Sequence, residues 1–337
     1  MVTIIDVARA AGVAPSTVSY VLNGKRSISA ETRRQVEQCI RQLGYRPPGR
    51  RTAAPRHRTG VLGLVAPLWA DTDPSALTRF VGATMVAARA RDHDLLLFTG
   101  NAGVAGLRRA TSTAVADALI VMDVQASDPR IPALLALDRP VVLVGEPDRS
   151  TGLPSVGVDF AASADRAAGH LANLGHRSVG LVGAPLSAAA RGTGLPRRFT
   201  RAFDASAVKH GLRTRWRPCG VSAEAVRSCL DALLGEDPGA TALVVENEIV
   251  LPLVVEQLRR RGRRVPVDVS VVAVCHEEEA ERPPVRFTSV ALPTLELGQL
   301  AVKAALRQLD GETEPETRLL APRLTVREST GPGPVTS

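Results

Sequence analysis

Long apolar runs are missing. No stretch of the 337 residues approaches the roughly 18 uninterrupted apolar positions that a bilayer requires, which excludes a membrane-spanning helix. The opening Met1-Val2-Thr3-Ile4-Ile5-Asp6 has no basic segment followed by a long apolar one, so no secretory signal is expected. Cysteine is scarce: Cys39, Cys219, Cys229 and Cys275 lie far apart, with no CxxC among them. That spacing suits neither a disulfide framework nor a zinc knuckle and fits a reducing cytoplasm. The motifs of common catalysis are also missing. Gly60-x-x-Gly63 and Gly180-x-x-Gly183 lack the GxGxxG pattern and its acidic partner, and no GxSxG or Walker sequence occurs. His170 and His176 are six apart, too far for the i, i+4 spacing of a helical metal pair, and read better as part of a helix end. Glu277-Glu278-Glu279 reads as a solvated turn rather than a metal cage. With no nucleophile–base set, the expectation is a protein that is not an enzyme and needs no metal or cofactor.

What is present is ordinary globular composition, 45% hydrophobic and 23% charged, with enough length for a small domain plus a two-lobed one. The charge is unevenly placed. Residues 1–59 carry eleven Lys or Arg against Asp6, Glu31 and Glu37, while the remaining 278 residues balance to zero. The whole net charge of +8 therefore sits on the first 59 residues. A small basic module beside a neutral body suggests a polyanionic partner, most simply nucleic acid; a solubilising tail is the plainer alternative.

Three short helices can be read in that module. The first begins at Thr3, with Asp6 placed to complete a capping box, and Ile4, Val7, Ala8 and Ala11 recur at helical spacing before Gly12. A second opens at Pro15, where a missing N–H costs nothing, and runs to Leu22. Its Val18, Val21 and Leu22 form an apolar stripe opposite Ser16, Thr17, Ser19 and Tyr20. A third starts at Ser29, buries Val36, Ile40 and Leu43, and ends at Gly44. Two helices across a tight Gly-containing turn, the second with a polar outer face, make a helix-turn-helix, whose hydroxyls and N-terminus suit phosphates.

The stretch Ile5-Asp6-Val7-Ala8 … Ala11-Gly12-Val13 … Ser16-Thr17-Val18-Ser19-Tyr20-Val21-Leu22-Asn23-Gly24, with Ile28-Ser29 … Thr32-Arg33 … Val36 … Leu43-Gly44-Tyr45-Arg46-Pro47, resembles the N-terminal domain of the LacI/GalR family of bacterial transcriptional regulators over about 45 gapless residues. The resemblance implies that Pro15, Ser16 and Tyr20 face base edges in the major groove, and that Thr17, Ser19, Asn23, Ser29 and Thr32 hold phosphates. Two positions depart from it. Ala14 stands where a capping Ser is common, a loss worth about 1 kcal/mol. Tyr20 stands where Arg is frequent, which implies a different preference at that base pair.

Residues 47–59, rich in Pro, Gly and Arg, read as a linker. The family folds a hinge helix here and wedges a leucine into the minor groove. The matching places are Pro48, Arg51 and Ala54, and Gly49 and Pro55 oppose a helix, so the expectation is Arg50 and Arg51 along the backbone or in a narrow minor groove, with Ala54 at the wedge position and a weak bend.

From residue 60 the pattern alternates. Apolar runs at Val61–Ala66, Leu95–Phe98, Ala118–Met122, Val141–Val144, Val179–Val182, Ala242–Val245 and Val269–Val274 read as buried strands, with helical stretches at 75–91, 161–174, 224–234 and 247–261. Such alternation implies doubly wound parallel sheets, and the length favours two lobes. The resemblance continues through His170-Leu171 … Leu174-Gly175-His176-Arg177, Val265-Pro266 … Asp268-Val269-Ser270-Val271-Val272 and Leu292 … Glu296-Leu297-Gly298. It implies a periplasmic-binding-protein-like α/β body with three crossovers and a ligand cleft.

The cleft positions depart from the family. Glu246-Asn247-Glu248 replaces an Ala-Asn-Asp triplet, Cys275-His276 replaces an Asp pair, and Asp159 is followed by Phe160 rather than Asn. Arg198 matches the Arg that often holds a ligand oxygen, and Trp69 and Trp216 either stack on a ligand or pack in a lobe. The expected organisation is a helix-turn-helix domain at 1–47, a hinge at 48–59, a two-lobed effector and dimerisation domain at 60–329, and a disordered tail at 330–337. The expected function is a cytoplasmic, homodimeric, sequence-specific repressor on a near-palindromic operator, modulated by a small molecule bound near Trp69, Asp159, Arg198, Trp216, Asn247, Cys275 and His276. The alternative is a ligand-independent regulator with a degenerate cleft.

Overall fold

The computed structural model describes residues 4–15, 17–18, 29, 31–32, 35–36, 39, 58–68, 74–99, 115–190, 194–282, 284–312 and 314–334. These divide into two compact units, 1–58 and 59–337. Among the described residues no helix is long and apolar enough to cross a membrane.

In the first unit, helix α1 (Ile4–Ala10) ends in a turn in which Ala11 N–H bonds the Val7 carbonyl at 2.9 Å and Val13 N–H the Ala8 carbonyl at 3.0 Å. Gly12 takes φ +61°, the left-handed conformation that a glycine adopts without a Cβ penalty. Helix resumes at Pro15, and Thr17 and Val18 are helical, as are Glu31, Thr32, Gln35, Val36 and Cys39. Val7, Ala8, Ala11, Val18 and Val36 form the buried core, with Val13 and Cys39 against it. The described members of the expected apolar stripes thus meet in one small cluster, while Val21, Leu22, Ile40 and Leu43 lie outside the described residues.

The second unit holds two six-stranded sheets. The first lobe contains β1 (Val61–Val65), α2 (Pro74–Arg89), β2 (Asp94–Phe98), β3 (Ala118–Val121), α3 (Ile131–Leu135), β4 (Val141–Val144) and β5 (Ser155–Val158). The chain then crosses through α4 (Phe160–Asn173) into β6 (Ser178–Gly183), α5 (Leu186–Ala190), α6 (Gly194–Lys209), β7 (Arg213–Pro218), α7 (Ala223–Glu236), β8 (Ala242–Val245), a 3-10 turn (Glu248–Val250), α8 (Leu251–Arg260), β9 (Ser270–Cys275), α9 (Glu277–Ala280) and β10 (Thr288–Ala291). It returns through α10 (Thr294–Leu309) to β11 (Thr317–Leu320) and crosses a third time to β12 (Leu324–Thr325). The strand orders are β11-β5-β4-β3-β1-β2 and β12-β10-β9-β8-β6-β7, all parallel except β10 with β12. The three crossovers expected from the resemblance are present.

Each sheet is covered on both faces, which is why its central strands read as unbroken apolar runs. Successive side chains alternate: Ala242 and Val244 of β8 join Leu171, Phe199 and Phe203 on one side, while Leu243 and Val245 join Leu230, Val254 and Leu258 on the other. The strand order 2-1-3-4-5 in both lobes places a topological switch between β1 and β3 and between β6 and β8, the points beyond which ligands sit in such sheets.

The expectation of a disordered tail over 330–337 is corrected for its described residues, 330–334; residues 335–337 lie outside them. Thr330 Oγ1 pairs with His170 Nε2 at 3.0 Å and Thr288 Oγ1 at 2.8 Å, Gly331 N–H donates to Ser270 Oγ at 3.0 Å, and Gly333 N–H donates to the Leu174 carbonyl at 2.7 Å. The Gly-Pro composition that reads as disorder serves close approach instead: a Cβ on Gly333 would lie 2.7 Å from both Gly175 C and His176 N.

Candidate functional site

In the first unit, Pro15 is exposed at the start of its helix and Thr17 is half-buried. Thr17 N–H bonds the Ala14 carbonyl at 2.9 Å, so the backbone closes the turn where a capping hydroxyl is lacking. Ser29 is exposed and caps the next helix: its Oγ accepts from Thr32 N–H at 3.2 Å and lies 2.8 Å from Thr32 Oγ1. Two of the expected phosphate contacts are therefore linked to each other. Ser16, Ser19, Tyr20, Asn23, Arg50, Arg51 and Ala54 lie outside the described residues, as does Thr3 of the expected capping box.

In the second unit, the carboxyl edges of the two sheets face each other and are bridged by ion pairs. Arg79 of α2, in the first lobe, reaches Glu248 at 3.2 Å and Glu279 at 2.5 Å in the second. Glu248 also accepts from the His276 backbone N–H at 2.9 Å and lies 2.8 Å from His276 Nδ1, while His276 Nε2 lies 2.7 Å from Thr294 Oγ1. Burial opposes the charge on Glu248, but the bonds to His276 and the positive charge of Arg79 hold its carboxyl below the usual range. On the other side, Arg198 of α6 binds Glu146 Oε2 at 2.7 Å, the Glu146 carbonyl at 2.5 Å and Asp148 at 3.1 Å, all in the loop after β4. Arg130 is buried beneath the end of β3, donating to the carbonyls of Met122 and Asp123 and pairing with Asp128 at 2.7 Å.

Polar satisfaction is incomplete at both carboxyl edges. Five buried side-chain atoms lack a hydrogen-bond partner among the described residues, and four of them are here: Arg130 Nη1, Arg198 Nε, Trp216 Nε1 and Glu246 Oε1. Such orphans are uncommon in folded proteins and costly; Arg130 lies beyond β3 of the first lobe, while Arg198, Trp216 and Glu246 belong to the second. Glu246 follows β8 at the switch point; its other oxygen accepts one bond from Ala184 N–H, just beyond β6, at 3.3 Å. The residue is 7% exposed, and burial pushes its pKa up to about 8, so it is a protonated acid near neutrality.

The expected effector residues thus divide. Arg198 and His276 sit where the lobes meet. Asp159 caps α4, accepting from Ala162 N–H at 2.8 Å, and Asn247 caps the 3-10 turn, accepting from Ile249 N–H at 3.1 Å. Trp216 packs on the core of the second lobe, its indole against Gly183. The expectation for Cys275 is corrected: it is fully buried among Val250, Ala280 and Phe287, because the two-residue period of β9 turns Val271, Ala273 and Cys275 to the same covered face. Trp69 lies outside the described residues. Arg79, Arg130, Glu146 and Asp148 escape sequence reasoning; Glu246 and Glu248 carry a signal as parts of an unusual triplet, and Glu279, read as part of a solvated turn, instead pairs with Arg79 across the lobes.

A basic helical module joined to a two-lobed α/β body of two doubly wound sheets defines the class of ligand-binding-fold regulators. Residues 3–48 match the bacterial regulatory proteins of the lacI family, and residues 168–330 match the periplasmic binding protein-like domain. The chain is 31% identical over 335 residues to the HTH-type transcriptional regulator PtxS of Pseudomonas plecoglossicida, covering 98% of this chain and 96% of the relative. Its fold is similar to that of the lac repressor dimer bound to operator and the anti-inducer ONPF (TM-score 0.71, 23% identity, 98% of this chain and 99% of that one). It is also similar to a CelR-cellobiose complex (TM-score 0.68, 24% identity, 98% and 100%). The chain belongs to the LacI family: it is a DNA-binding transcriptional regulator and not an enzyme.

Proposed function

We propose that the protein represses transcription in the cytoplasm by binding a near-palindromic operator as a homodimer, and that a small polar molecule between the lobes alters its operator affinity. The module supports the first part: an exposed helix start at Pro15 beside a +8 segment suits phosphates and base edges, and a twofold pair fits half-sites about 10 bp apart. The DNA contacts assigned to it are Pro15, Ser16, Thr17, Ser19, Tyr20, Asn23, Ser29, Thr32, Arg50, Arg51 and Ala54. Exposed Met85 and Val86 on α2 and Leu97 on the edge strand β2 supply an apolar patch for the dimer.

The observation that carries ligand control is the set of orphaned polar atoms at the two carboxyl edges. Three are N–H donors on Arg130, Arg198 and Trp216, and the fourth belongs to a protonated carboxyl. A molecule rich in acceptor oxygens, such as a sugar, has the chemistry to pair with these donors when the lobes open to admit it, and the cellobiose in the CelR complex is of this kind. Binding that favours one lobe arrangement would shift operator affinity by a coupling of about 1–3 kcal/mol. A second reading has its own support: Arg79 and Arg198 already bridge the lobes through the protein's carboxylates, as a cleft that needs no ligand would.

Calorimetry against mono- and disaccharides, nucleosides and small acids separates the two. A saturable heat for a sugar, reduced at least tenfold by Arg198→Met, supports ligand control. No heat from any class leaves the ligand-independent regulator.

A further inference from the structure

Cys219 and Cys229 are ten positions apart in sequence, yet the fold brings their thiols together. Cys219 follows the last residue of β7, and its N–H donates to the carbonyl of Gly183 at 3.2 Å, which fixes it at the carboxyl edge of the second sheet. Cys229 lies in the second turn of α7, which folds back along that edge. Its Sγ is 3.9 Å from the Arg217 carbonyl, two residues before Cys219, and the two thiols lie close enough to perturb each other's titration. Cys219 Sγ also approaches the Gly220 carbonyl at 3.4 Å. Both side chains are buried in one cluster, at 1% and 5% exposure.

From this juxtaposition we propose that Cys219 and Cys229 are a redox-convertible pair that closes to a disulfide under oxidising conditions and ties the β7–α7 loop to α7 at the edge where the lobes meet. The chemistry is thiol–disulfide exchange with a small-molecule disulfide. The Cys219 thiolate attacks one sulfur of that reagent, forming a mixed disulfide and expelling one thiolate. Cys229, having lost its proton to solvent, attacks Cys219 Sγ and expels the second. Two cysteine thiols and one small disulfide become one protein disulfide and two small thiols. The order of attack follows from the environment: the neighbouring Cys229 holds the Cys219 thiol below its ordinary value, while Cys219 and burial push Cys229 up.

Access comes through the loop. Val221 and Ser222 are exposed and Gly220 is half-buried, so a local opening of four residues uncovers Cys219 without unfolding the sheet. The other thiols are less suited. Cys275 is fully buried with its pKa raised by burial and by the nearby Glu248 charge, and Cys39 lies in the first unit.

The test is incubation of the full chain with oxidised glutathione, followed by non-reducing peptide mapping and amide hydrogen exchange. The expected product has lost two hydrogens, carries a Cys219–Cys229 cross-link reversed by dithiothreitol, and shows slowed exchange over residues 220–225. Cys229→Ser traps glutathione on Cys219, Cys219→Ser abolishes both adduct and cross-link, and Cys39→Ser and Cys275→Ser behave as the parent. An uncrosslinked chain with folded-state exchange, or glutathione gathered on Cys39 or Cys275, overturns the proposal.

Discussion

Replacing Glu246 with Gln keeps the shape of the side chain and removes its titration. The folded-state carboxyl, buried at the end of β8 with one weak bond, has a pKa near 8 against 4.5 for the free group. Between those values the folded chain holds a proton that the unfolded chain has released. Stability contributed at this site therefore falls as pH rises through that window. At about 1.36 kcal/mol per unit, the loss between pH 5 and pH 8 is roughly 3 to 4 kcal/mol, a large share of a domain's stability. Urea unfolding of the parent and Glu246→Gln at pH 5, 6, 7 and 8 reads this directly, because the other titrating groups are common to both proteins. The variant should show the flatter dependence, with its advantage growing toward pH 8. Parallel curves, or a variant that loses ground as pH rises, would refute the reasoning that Glu246 is buried uncompensated.

The remaining predictions concern the meeting of the lobes. Arg79→Met removes the cation that ties Glu248 and Glu279 to the first lobe, leaving Glu248 to His276 and Glu279 to Arg282, and should cost roughly 1–3 kcal/mol in urea unfolding, with a larger radius of gyration by small-angle scattering as the lobes separate. An unchanged radius would remove Arg79 from the bridge. Gly183→Ala places a Cβ 2.1 Å from Trp216 Nε1, so the indole must move; a thermal midpoint lowered by several degrees and a shifted tryptophan emission are expected. A variant matching the parent in both would show that the indole is not held against β6.

Much of the architecture is legible in the residues because burial on both sheet faces leaves unbroken apolar runs. Ala242–Val245 and Val141–Val144 coincide with β8 and β4 for that reason. The edge strand β7, Arg-Thr-Arg-Trp-Arg-Pro, escapes because a strand covered on one side carries charge at alternate positions. The short β5, Ser-Val-Gly-Val, has too few apolar residues to stand out. The site is less legible than the fold. Position along β9 points Cys275 toward the cleft, but the two-residue period sends it to the core and leaves His276 at the edge. Arg79 lies on an ordinary helix 169 residues before Glu248, and no local pattern announces a pairing made only by lobe closure. The Cys219–Cys229 contact depends on α7 turning back along β7, which spacing alone does not reveal.

Ligand control and repression as proposed both require that the basic module bind DNA as a symmetric pair. Genomic fragments selected at moderate ionic strength, then footprinted and weighed as complexes by native mass spectrometry, test it most directly. Two chains on one near-palindromic sequence are expected, with protected half-sites about 10 bp apart and a preference of at least about a thousandfold over bulk competitor. One chain per site, or equal retention of all fragments, would contradict it.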